Sequence, residues 1–97
     1  VEFVKFRVKD GHRSTFLARR AEAVLAVQAA HPDLIGAPVI AEHDDGSWTD
    51  VWIYRTAAAA QRANDESGSI PAFLAMAELL DDVHVHAGTS PEEGVDS

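Results

Sequence analysis

His84 and His86 are separated by one residue and alternate with Val83 and Val85, so both imidazoles project from one face of a strand, about 7 Å apart. Three roles suit such a pair. It could bind a metal if His43 or Asp50 supplied a third ligand. It could make polar contacts in an interface. It could also transfer protons, because an imidazole with an ordinary pKa of about 6.5 accepts a phenolic proton at neutral pH. Asn64, a lone amide in an alanine-rich segment, has the chemistry to hydrogen-bond a substrate carbonyl. Asp50 can pair with Lys5 or Arg7 or act as a base. Trp52 and Tyr54 offer either packing or a wall on which a planar molecule stacks. Phe6, Phe16, Phe73 and Met76 read as core residues that would also line any cavity within the fold.

Other chemistries find no footing. The sequence has no Gly-rich phosphate loop, no Gly-x-Ser-x-Gly elbow and no Glu-x-x-His pair, so no cofactor or metal is expected. Zero cysteines exclude disulfides and thiol nucleophiles and are consistent with a cytoplasmic address. A net charge of −8 disfavours nucleic acid as a partner, and no apolar run is long enough for a membrane span. The charge is unevenly placed, +4 over residues 1–20 and −12 over the remainder, which points to complementarity within the molecule or between subunits.

The elements that must position these residues follow from periodicity. Residues 1–8 alternate Glu2, Val4, Phe6 and Val8 against Val1, Phe3, Lys5 and Arg7, the pattern of a strand. A long amphipathic helix is predicted from His12 to Ala30, ended by His31-Pro32. A second strand runs from Leu34 to His43, with Pro38 restricting it to a sheet edge or bulge. Asp45-Gly46 predicts a two-residue hairpin turn into a third strand, Trp48 to Arg55, which sets His43 opposite Trp48 and Ala41 opposite Asp50. Thr56 caps an alanine-rich helix, Ile70-Pro71 opens another that Asp81-Asp82 closes, and Val83 to Ala87 forms the last strand.

The order βαββαβ is a ferredoxin-like α+β fold over residues 1–88, a four-stranded antiparallel sheet with helices on one face, followed by an acidic tail at 89–97 expected to be disordered. The covered face is expected to carry Val4, Phe6, Val8, Ile40, Val51, Ile53, Val83 and Val85. Lys5, Arg7, His43, Trp48, Asp50, Trp52, Tyr54, His84 and His86 are expected on the other, which two tryptophans make a candidate homodimer face.

The segments FRVKDG at 6–11, DGSWTDVWIYRT at 45–56 and IPAF at 70–73, in this order of elements, resemble the antibiotic biosynthesis monooxygenase family of dimeric α+β barrels. The resemblance implies a homodimer and an oxygenase that works without a cofactor on a planar aromatic molecule of phenol, quinol or polyketide type. A non-catalytic small-molecule-binding or structural dimer is the alternative. The implied pocket lies between sheet and helices, with Val4, Phe6, Phe16, Val51, Tyr54, Phe73 and Met76 against the substrate. His84, His86 and Asn64 are the candidate catalytic residues. Haem is not implied, because the positions that the haem-degrading branch uses hold Val4, Ala63 and Ala77.

Overall fold

The computed structural model describes residues 1–88, so the expected tail at 89–97 lies outside the described residues. Its elements are β1 (Glu2–Val8), α1 (Arg13–Ala30), β2 (Leu34–Glu42), β3 (Ser47–Tyr54), α2 (Ala57–Glu66), a 3₁₀ turn (Ser67–Ser69), α3 (Pro71–Ala77) and β4 (Leu80–Ala87). The strands form one antiparallel sheet in the order β2-β3-β1-β4, and the helices pack on one face of it. This is the α+β, ferredoxin-like arrangement expected from the sequence.

Local chemistry explains the boundaries. The Thr56 hydroxyl accepts from the Ala59 amide at 3.0 Å and caps α2. Pro71 occupies the first position of α3, where a missing N–H costs nothing. Pro38 sits on the edge strand β2, among two register shifts that spare the ladder its missing donor. β4 begins three residues earlier than the sequence suggests. Asp81 pairs with Arg7 rather than closing a helix, and Asp82 takes a left-handed φ of 53° at the bulge opposite β1.

The hairpin between β2 and β3 carries the main correction. Its loop has three residues, Asp44 to Gly46, because His43 pairs with Ser47 and Gly46 turns the chain at φ 85°. The Ser47 hydroxyl and amide both donate to Asp45 and hold its carboxyl below the usual carboxylate range. Glu42 therefore pairs with Trp48 and Ile40 with Asp50, one residue away from the expected register. A one-residue slip exchanges the faces of a strand. Trp48, Asp50, Trp52 and Tyr54 consequently lie under the helices and are buried, not on an outer dimer face. Val51 and Ile53 take the open face with Phe3, Lys5, His84 and His86.

Asp50 is tolerated inside because α1 brings Arg20 to it. The guanidinium donates from Nε and Nη2 to the two carboxylate oxygens at 2.8 and 2.7 Å, and Nη2 also donates to the Ala37 carbonyl on β2 at 2.8 Å. The expected partners Lys5 and Arg7 are on the opposite face of β1 and do not reach it. One helical turn before Arg20, Phe16 is fully buried and meets Phe6 and Trp48 edge-on at 5.2 and 5.5 Å.

Replacing Arg20 by Met leaves Asp50 buried without its cation, and a loss of about 3–5 kcal/mol in unfolding free energy is expected. Urea denaturation reads this as a lowered midpoint. Adding Asp50→Leu to the same chain should recover most of the loss, because the second substitution removes the stranded charge.

Candidate functional site

The packed aromatic cluster does not fill all of the space between sheet and helices. On the other side of the Arg20–Asp50 pair a cavity of about 160 Å³ remains. Its floor is Val4 and Phe6 from β1 and Trp52 and Tyr54 from β3; α3 contributes Phe73 and Met76, which lean over it. The Trp52 and Phe73 rings meet edge-on at 6.4 Å and form an aromatic corner. The mouth lies along the β4 edge, where Val83 and Val85 are about half exposed. Alanines at 59, 60 and 63 bring α2 close to the sheet without filling the cavity.

The polar groups gather at one end. Glu2, buried on β1, accepts from the Asn64 amide nitrogen of α2 at 2.5 Å through Oε2. Its Oε1 and the Tyr54 hydroxyl have no hydrogen-bond partner among the described residues. Burial, with the negative charge of Glu2 nearby, pushes the Tyr54 phenol up to about 12, so it stays protonated over the physiological range. The site therefore combines an apolar aromatic slot, a carboxylate oxygen and a neutral hydroxyl donor.

Val4, Phe6, Phe16, Tyr54, Phe73, Met76 and Asn64 all border this cavity. Val51 does not, because its parity on β3 turns it to the open face. His84 pairs with Lys5 and His86 with Phe3, so both imidazoles stand on the open face and cannot act on a molecule in the cavity. Nor do they meet a third ligand. Asp50 is beneath the helices, and His43, bonded to Thr49 at 2.7 Å, is carried by the opposite edge strand, about 14 Å away across three strand spacings. Among the described residues no three His, Cys, Asp or Glu side chains converge on one point.

Glu2 is the carboxylate that residue type alone leaves unnoticed, whereas Asp50 is already a candidate from the sequence. Glu2 shares its parity with Val4, Phe6 and Val8, and Asp50 shares its parity with Trp48, Trp52 and Tyr54. An acidic residue in phase with an apolar face is the signal for a buried, paired or functional carboxylate.

No family model and no curated protein matches the sequence. Solved structures do. The chain is similar to SnoaB, a cofactor-independent oxygenase from Streptomyces nogalater, at 18% identity over 94% of each chain with a TM-score of 0.66. It is similar to a candidate antibiotic biosynthesis monooxygenase from Nitrosomonas europaea at 12% identity, covering 92% of this chain and 97% of that one, TM-score 0.61. A NIPSNAP family protein from Agrobacterium tumefaciens matches at 16% identity over 94% of this chain and 84% of that one, TM-score 0.65. The fold is thus that of the antibiotic biosynthesis monooxygenases and of NIPSNAP proteins alike. At these identities the likeness is one of fold.

Tyr54 is the single tyrosine, so the tyrosinate absorbance reads it alone. Its midpoint in the folded protein should lie about two pH units above that of the unfolded chain, near 12 against about 10. Between those values the unfolded chain has released a proton that the folded one keeps, so stability falls as pH rises through this window. In the Tyr54→Phe variant that part of the alkaline loss should vanish, measured as the difference between the two proteins in denaturant midpoint.

Proposed function

We propose that the protein is an oxygenase that uses no flavin, haem or metal and acts on a small planar phenol or quinol-like molecule in the cavity beneath α2 and α3. The observation that carries this reading is the gathering of Glu2, Asn64 and Tyr54 at one end of an otherwise apolar aromatic slot. Support comes from the fold shared with the cofactor-independent oxygenase SnoaB.

The chemistry asks little of the protein beyond what this wall offers. A phenol conjugated to an activated methylene gives up a proton to form an electron-rich anion, which reduces dioxygen directly. The carbon–oxygen bond then forms and water leaves. Overall CH₂ and O₂ become C=O and H₂O, the substrate carbon being oxidised and dioxygen reduced. In this reading Glu2 Oε1 takes the proton, and doing so neutralises Glu2 as the substrate anion appears, so two anions never share the site. Tyr54, still protonated, donates to the developing oxyanion, while the apolar walls keep water from competing. Asn64 holds Glu2 in place and acts as a positioning residue.

The open sheet face belongs in this proposal to a second copy of the chain. Phe3 is 42% exposed there and Val39 49%, beside Val51 and Ile53, a contiguous apolar strip flanked by Lys5, His84 and His86. A sheet with one bare apolar face is covered most simply by another such sheet. Arg7 and His43, which both pair with Ser47 at the hairpin end of the sheet, share the parity of this face.

Two experiments test the reading. Metal-free protein incubated under air with one-ring quinols and one-ring phenols that carry an activated methylene should consume oxygen above the uncatalysed rate. Glu2→Gln and Asn64→Ala should lower that rate by about tenfold or more, and His84→Ala and His86→Ala should leave it within a factor of two. Absence of uptake with retained ligand binding would make this a binding protein instead. In light scattering after size exclusion the wild type should have the mass of two chains and Ile53→Lys that of one. A wild-type monomer at micromolar concentration would refute the sheet-on-sheet dimer.

A further inference from the structure

Two buried carboxylates border the cavity and only one of them is compensated. Asp50 is neutralised by the Arg20 fork. Glu2 is 6% exposed, accepts one hydrogen bond from a neutral amide, and forms no salt bridge among the described residues. Among the described residues no Lys, Arg or His lines the cavity. A carboxylate in such surroundings is costly unless a donor or a cation completes it, and a second anion beside it is more costly still. Size narrows the choice further. An apolar protein cavity of about 150 Å³ holds one benzene ring, and this one measures about 160 Å³.

We infer that Glu2 is the specificity-determining residue of the cavity, selecting a one-ring aromatic molecule whose polar end is a hydroxyl or a protonated amine and rejecting one that ends in a carboxylate. The free Oε1 accepts from the hydroxyl or ammonium. The ring lies in the corner of Trp52 and Phe73, where an ammonium gains a second attraction from the aromatic faces. The neutral Tyr54 hydroxyl serves either end group as donor or acceptor. This inference rests on the cavity being the ligand site proposed above, but it concerns binding and is independent of oxygen uptake.

The test compares p-cresol, benzylamine, benzoate and toluene at neutral pH on the full chain, with the indole N–H resonance of Trp52 reporting occupancy. In the wild type p-cresol and benzylamine should each bind about tenfold or more tighter than benzoate. Glu2→Gln keeps the side-chain shape and an acceptor for Asn64, and should bring benzoate to within about threefold of p-cresol while toluene is unchanged. Asn64→Lys, at an exposed position of α2, should give the same loss of discrimination by supplying Glu2 with a cation. It serves where the Glu2 variant does not fold. Equal binding of p-cresol and benzoate by the wild type, or discrimination that survives in both variants, overturns the assignment of Glu2 and leaves the oxygenase reading standing. If none of the four compounds moves the Trp52 resonance, the cavity is no ligand site and both readings fall.

Discussion

The Arg20–Asp50 pair decides how the rest of the molecule is arranged. Asp50 stands mid-strand on β3, and its carboxylate can face inward only if a cation arrives at the same depth. Arg20 arrives because it lies one turn after Phe16 on the buried stripe of α1, in line with Ala23 and Val27. A bidentate guanidinium contact fixes orientation as well as distance. The third bond, to the Ala37 carbonyl, ties the irregular part of β2 to the same point. Such a pair adds little to net stability over an apolar replacement, yet it excludes alternatives in which Asp50 is inward without Arg20. With Asp50 inward, Trp48 and Trp52 must be inward too, one on each side of it.

That placement divides the interior. Trp48 joins Phe6 and Phe16 in a filled aromatic cluster, with Arg13 stacked over the indole from outside. Among the described residues Trp52 meets only Phe73 of the aromatics, across a space that the small Ala77 on α3 leaves empty. One half of the core supplies close packing and the other half supplies volume. Glu2 at the end of the empty half would be a poor choice for stability alone. Local departures of this kind are where function is expected, and their cost is offset by the packed half.

Much of this was legible in the sequence. Alternation at 1–8 and 83–87, the helical stripe from 12 to 30, the Thr56 cap and the proline at 71 together specify βαββαβ, because each signal is local and owes little to the rest of the chain. The confinement of Pro38 to an edge or bulge followed from its missing donor in the same way. What could not be read locally was the register of the β2–β3 hairpin. Asp45-Gly46 supports a two-residue turn or, with Asp44, a three-residue loop, and the difference of one residue reverses the faces of β2 relative to β3. Composition could not arbitrate, since β3 is apolar on both faces, Val51 and Ile53 on one and three aromatics on the other. The deciding contact joins residues thirty positions apart.

Strand parity also explains why residue type alone is a poor guide to the reactive groups. His84 and His86 have the most versatile acid–base chemistry in the chain, yet Val83 and Val85, which alternate with them, point to the cavity, and alternation along a strand then forces both imidazoles outward. Glu2, a less conspicuous residue at the start of β1, is in phase with Val4 and Phe6 and so reaches the pocket. A side chain on a sheet can act on a ligand beneath the helices only if its position has the parity of that face. The two faces therefore divide the work available to them: the covered face holds the aromatic slot with its single uncompensated charge, and the open face keeps its histidines and aliphatic strip for whatever packs against the sheet.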